Sequence, residues 1–212
     1  MVDHNESAWL EAALRGDRNA FGKLVQAYQV PVYNLAYRLL GNAADAEDAA
    51  QETFLKAFSR LHTYQPDMKF SNWLLSIASH HCIDRLRRRR FVWLSVEDDP
   101  SVEWLTGDGE QPDAAALRAE QARELQALIN RLEPEYRTPV VLRYWYDLSY
   151  KEIAEIMGIT EAALKSRLHR ARLQLAEMLE AQPGEGHATT ATVKEPSRSP
   201  RVSRAIAHAP LA

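Results

Sequence analysis

Two clusters of side chains in this chain could do chemistry, and both are cationic. In "LSYKEIAEIMGITEAALKSRLHRARLQL", Leu148 to Leu175, two turns after "MGIT" carry Lys165, Arg167, Arg170 and Arg172. Upstream, Arg85 and Arg87 to Arg90 put five arginines in six positions. Guanidinium and ammonium groups at this density pair with phosphate, and Arg also presents paired donors to base edges. Yet the chain has 26 bases against 29 acids, a formal charge of −3. Charge is therefore segregated, which points to local polyanion binding rather than a generally basic protein.

The element that must position the second cluster reads as a helix. With Leu164 at 0° and about 100° per residue, Leu168, Ala171, Leu175, Met178 and Leu179 fall on one buried stripe. Ala162, Ala163, Ser166, His169 and Arg170 occupy the opposite arc, with Lys165, Arg167 and Arg172 on its flanks. Small side chains near the helix start permit close approach to a groove floor. The bases around them suit its phosphate walls. Thr160 can cap this helix, followed by Glu161, and Gly158 permits the turn after "YKEIAEIM". Helix, short glycine-containing turn and basic second helix read as a helix-turn-helix.

The arginine run ends a second helix, "FSNWLLSIASHHCIDRLRRRR". Phe70, Trp73, Leu74, Ile77 and His81 form its apolar arc, extended by Cys82 and Leu86. Asn72, Ser76, Ser79, His80 and Arg87 form a polar stripe. Cations there also complement the helix dipole, but five arginines exceed what an end needs. His80, His81 and Cys82 lie about 100° apart in turn and cannot converge on one ion, so no metal site is expected.

The rest of the chain organises these elements. Helical periodicity covers Glu6 to Arg15, a segment capped by Asp17, a segment opened by Pro31 and closed by Gly41, and a long helix from Asn42 or Asp45 to near Leu61. No period-2 strand of useful length is present. Between Glu97 and Asp113 lie seven acids and no base, with Pro and Gly. This reads as a flexible acidic linker, either mimicking nucleic-acid charge or keeping a loose segment solvated. After Ala181 large apolar residues almost vanish, so a disordered tail is expected. The fold class is all-α: an N-terminal helical bundle over 1–91, a linker over 92–116, a helix-turn-helix domain over 117–181 and a tail over 182–212. The composition of the linker predicts that the two domains are independent.

One cysteine, Cys82, permits no intrachain disulfide. The N-terminus lacks a signal peptide's basic start and apolar run, and no stretch approaches the length of a membrane span. These features predict a cytoplasmic location without membrane insertion. No phosphate-binding glycine loop, nucleophile constellation or cofactor motif is found, so a catalytic role is not expected.

"DAEDAAQETFLKAF", then the arginine-ended helix, then the helix-turn-helix, in that order, resemble the bacterial RNA polymerase sigma factors of the sigma-70 family. The compact layout is similar to the extracytoplasmic-function (ECF) group. The resemblance covers about residues 8–180. It implies a specificity subunit that directs core polymerase to promoters and aids strand opening. It places polymerase docking, on the β′ clamp helices, at Asp48, Gln51, Glu52 and Leu55, which share a face at i, i+3, i+4, i+7. It places capture of the unpaired −10 element at Asn72, Ser76, His80, Arg85, Arg87 and Arg88. The −35 reader is the later helix, with Thr160, Glu161, Ala162, Lys165, Ser166, Arg167, His169 and Arg170. The β flap, promoter DNA and an anti-sigma factor complete the implied partners. The competing expectation is a helix-turn-helix regulator that acts without core polymerase.

Overall fold

The computed structural model describes residues 4–95 and 113–181, with side chains described for 5–89 and 120–181. Among the described residues the chain is all-helical. Helix α1 spans His4–Leu14 and α2 spans Arg18–Leu40. Asp17 caps α2 by accepting from the backbone N–H of Asn19 and Ala20. Pro31 lies inside α2 rather than opening a new segment. Leu24, Tyr28, Val32, Leu35 and Leu39 make one buried stripe across it, so packing carries the helix past the lost backbone donor. At the far end Gly41 adopts a left-handed conformation, φ 84°.

Asn42 then caps α3, Ala43–Arg60, by accepting from the Asp45 N–H. Small residues Ala46, Ala49 and Ala57 let α3 lie close against the bundle. A single 3-10 turn, Leu61–Thr63, leads to α4, Phe70–Ser95. Tyr64 packs edge-on against Phe70 and Trp73, which fixes the entry to α4.

The second unit comprises α5 (Asp113–Asn130), α6 (Pro134–Tyr144), α7 (Tyr150–Met157) and α8 (Glu161–Glu180). Helix α4 thus continues to Ser95 and α5 begins at Asp113, so helix occupies both ends of the stretch read as linker. Residues 96–112 and the tail from 182 lie outside the described residues, and with them the expectations of linker flexibility and tail disorder.

The two units are not held apart. Helices α6 and α7 pack on α4, and α5 and α6 pack on α2, so one apolar core runs from Ala13 to Ala171. Arg137, 6% exposed, donates to the carbonyls of Asn130 and Leu132 in its own unit and to Leu39 at the end of α2. Burial lowers its pKa to about 10, which leaves it charged at neutral pH against the negative end of the α2 dipole. Arg38 stacks over Trp145 at 4.5 Å and bonds Gln126, whose amide returns a bond to the Arg38 carbonyl. The Tyr146 hydroxyl donates to the Pro31 carbonyl at 2.5 Å.

Candidate nucleic-acid and polymerase interfaces

Local chemistry builds the helix-turn-helix. Ser149 and Glu152 form a reciprocal capping box at the start of α7. Gly158 ends that helix at φ 63°, a left-handed value that favours glycine. Thr160 then caps α8 by accepting from the Ala163 N–H. Ile153, Ile156, Leu164, Leu168 and Ala171 lock the two helices together. Leu175 and Met178 are half-buried against the same core, but Leu179 is 56% exposed and does not join the stripe.

This geometry turns the candidate −35 residues outward. Glu161, Ala162, Lys165, Ser166, His169 and Arg170 are exposed, and Arg167 is half-buried beside them. Arg170 also donates to the Tyr136 hydroxyl at 3.4 Å, a tyrosine from the first turn of α6 that periodicity could not place there. Arg172 turns back along α8 and bonds the Leu168 carbonyl. The surface therefore offers small residues at the helix start and cationic heads around them, which is what a DNA groove and its backbone require.

The arginine-ended helix is less uniform. His80, Arg87 and Arg88 are exposed, and Ser76 is half-buried. Arg85 is committed internally, paired with Asp45 and, at 3.4 Å, with Asp48. Arg89 pairs with the same Asp45. Burial of Asp45 opposes its charge, but bonds from Asn42 and Arg89 and the nearby guanidinium of Arg85 hold its carboxyl below the usual range. Two of the five arginines thus brace α4 against the N-terminus of α3. Asn72 differs more sharply, being only 2% exposed. The polar stripe of a helix wheel does not reveal which of its members packing will bury.

The candidate docking residues share one helix. Asp48, Gln51, Glu52 and Leu55 all lie exposed along α3, and Leu55 is 64% exposed. Phe58, one turn on and 46% exposed, extends that strip and packs on Phe21 at 5.0 Å between ring centres. Behind the strip, Lys56 bonds His81 at 2.6 Å and ties α3 to α4. Burial and the adjacent Lys56 cation both lower the His81 pKa and keep the ring neutral. No helix among the described residues is long and apolar enough to cross a membrane.

An acid-and-leucine face, a helix ending in cations and a helix-turn-helix on one all-helical frame define a DNA-directed transcription subunit. Residues 24–92 match the sigma-70 region 2 family and residues 122–175 match sigma-70 region 4. The chain is 37% identical over 171 residues to the ECF RNA polymerase sigma factor SigW of Bacillus subtilis, covering 78% of this chain and 91% of that one. It is 32% identical over 189 residues to the RNA polymerase sigma-H factor of Pseudomonas aeruginosa, covering 85% and 96%. Among solved structures, CnrH in complex with the cytosolic domain of CnrY shares its fold, with TM-score 0.61 and 24% identity over 84% of this chain and 99% of that one. The chain belongs to the sigma-70 family of RNA polymerase sigma factors, in its ECF group. Its function is to direct promoter-specific initiation by RNA polymerase.

Proposed function

We propose the division of labour among the surfaces. The α3 face of Asp48, Gln51, Glu52 and Leu55 docks core polymerase at the β′ clamp helices. Helix α8 reads the −35 element through Lys165, Ser166, Arg167, His169 and Arg170, around the small start at Thr160, Glu161 and Ala162. Helix α4 takes the −10 strand against Ser76 and His80, with Arg87 and Arg88 anchoring phosphates. Splaying out a base needs a pocket and phosphate anchors, and both of these arginines are exposed. In this role the chain makes and breaks no bonds; core polymerase does the chemistry. It works in the cytoplasm, with core polymerase, and with an anti-sigma protein as a further partner. Support for that partner comes from an anti-sigma complex of similar fold, the Bartonella quintana sigma factor RpoE with NepR (TM-score 0.58, 24% identity, covering 76% of this chain and 97% of that one).

The observation that carries the docking assignment is Leu55, an apolar side chain 64% exposed among acids on a helix that buries its other face. A helix this acidic repels DNA phosphates, and an exposed leucine gains from a partner rather than from water. Changing Glu52 to Lys and Leu55 to Ala together should lower core affinity at least about tenfold, since interface anchors each carry about 2 kcal/mol. Pull-down of core by the double variant measures this, with circular dichroism as the folding control. A folded variant that captures core normally removes this face from the interface. A wild-type chain that also fails to capture core removes docking altogether.

A further inference from the structure

Burial thins the polar stripe of α4. Asn72 and Ser79 are 2% and 1% exposed, which leaves Ser76, His80 and Arg87 of that stripe to meet a ligand. Ser76 and His80 stand one turn apart and share a face, since four residues advance the wheel by only about 40°. Arg87 follows about 20° off the His80 direction and about 10 Å further along the helix. It carries a guanidinium already assigned to a phosphate, so the two smaller side chains are left for the base.

Both side chains have spent a hydrogen on their own helix. The Ser76 hydroxyl lies 2.7 Å from the Trp73 carbonyl, and His80 Nδ1 lies 2.7 Å from the Ser76 carbonyl. A carbonyl oxygen only accepts, so in each bond the side chain is the donor. The Ser76 hydrogen therefore points back at the backbone and leaves the lone pairs of Oγ free to accept. The proton on Nδ1 assigns the tautomer of the neutral His80 ring: Nε2, the far nitrogen of an exposed side chain, carries no hydrogen and accepts. His81, the next residue, is held the opposite way. Lys56 Nζ, which only donates, lies 2.6 Å from His81 Nδ1, so there Nδ1 accepts and the buried Nε2 holds the proton. The local frame thus sets each ring's tautomer, and the outward ring is the one that presents an acceptor.

Ser76 Oγ and His80 Nε2 therefore form a pair of acceptors at i and i+4. Asp84, exposed one turn past His80, adds a carboxylate, which when ionised also only accepts. Adenine, cytosine and guanine each carry an exocyclic amine, and its N–H groups suit such a pair. Thymine has no amine and offers two carbonyls beside a single N–H, whose lone pairs repel those of Oγ and Nε2. We infer that Ser76 and His80 select a base with an exocyclic amine at one position of the −10 strand and exclude thymine there. The inference rests on the reading of α4 as the −10 strand reader and adds to it the chemistry of the base.

The test uses the full chain with core polymerase and forked DNA randomised in its −35 duplex and its unpaired −10 segment. Strands retained by the holoenzyme are sequenced. One −10 position should carry adenine, cytosine or guanine over thymine by at least about tenfold, the size of a good pair of base contacts. Replacing the preferred base there by an analogue without the amine (uracil for cytosine, hypoxanthine for adenine or guanine) should cost a similar factor. His80→Gln, whose amide offers a donor or an acceptor, should level that position. His80→Lys, a donor only, should turn it towards thymine. Base preference is the readout because a variant that merely loosens the fold lowers affinity for every strand alike. Thymine accepted at every position by the wild type, or a preference that both variants leave unchanged, overturns the inference. Nitrogen-15 NMR of the His80 ring in the free chain, in mildly alkaline buffer, checks the tautomer without DNA. A proton on Nδ1 is expected, and a proton on Nε2 overturns the inference whatever the strands show. A holoenzyme that forms yet retains no strand would sink the reading of α4 as the −10 reader, and the base selection with it, while the Nδ1 tautomer would still be seen.

Discussion

Helices α4 and α8 both carry dense cations, yet they use them differently. On α8 Lys165, Arg167 and Arg170 lie on or beside the outward face, where Arg170 donates to the Tyr136 hydroxyl. On α4 two arginines of the run are held by the buried Asp45, while Arg87 and Arg88 stay free to meet a ligand. A run of like charge tells that a polyanion could bind. Which members of the run are available depends on acids supplied from another helix, here 40 or more residues away in sequence.

The sharpest way to break this contrast is Asp45→Asn. It removes the acid that braces α4 and leaves two guanidinium groups against the N-terminus of α3. Breaking a buried pair costs about 3–5 kcal/mol, and the partial exposure of Arg85 and Arg89 places this one nearer about 2–3. Urea unfolding measures it, and a loss under about 0.5 kcal/mol would mean that the brace contributes nothing. No single change on the outward face of α8 should unfold the chain comparably.

Next in size are the α8 arginines. Arg167→Ala should weaken −35 duplex binding by about 1–3 kcal/mol and relax base preference if it contacts a base. Arg170→Ala should act mostly through phosphate and lower the salt slope by about 1. Fluorescence anisotropy across a salt series separates the two outcomes. Variants that both bind like wild type would show that α8 meets DNA by another face.

A pair on α4 carries the comparison within one helix. Arg88→Ala should leave stability within about 0.5 kcal/mol but weaken capture of a −10 single strand, with a salt slope smaller by about 0.7. Arg85→Ala should do the reverse, lowering the urea midpoint with little change in strand binding. Equal effects of the two variants on strand binding would mean that Arg85 leaves Asp45 when DNA arrives.

The smallest effect is acidic. Burial raises the Glu152 pKa, but bonds from Lys69 and Ser149 outweigh it and hold the carboxyl at about 2. Its folded value lies below its unfolded one, so its stabilising contribution is complete above the ordinary value of 4.5 and is lost as pH falls towards 2. The contact between the two units should therefore hold from neutral pH down to about 4.5 and weaken below it, as read by energy transfer between them. Loosening already between pH 7 and 5 would point to a group other than Glu152.

Much of this was legible in the chain itself. Periodicity of 3.6 marked the helices, because a helix that packs on one side must repeat its apolar residues at that spacing. The capping by Asp17, Asn42 and Thr160 and the left-handed glycines at 41 and 158 are short-range chemistry, decided within four residues. The outward faces of α3 and α8 followed from the same wheel, since each is buried on one side only. The tertiary structure decided what depends on partners far along the chain. It kept α2 whole through Pro31, because burial on both sides of the proline outweighs one missing hydrogen bond. It placed Asp45 under two arginines and Arg137 against the end of α2, and it buried Asn72 and Ser79. Periodicity shows which side of a helix avoids water, but not how many neighbours will share that side. Packing that buries part of a polar stripe leaves no mark in the local pattern, because its energy comes from surfaces that meet only when the chain is folded.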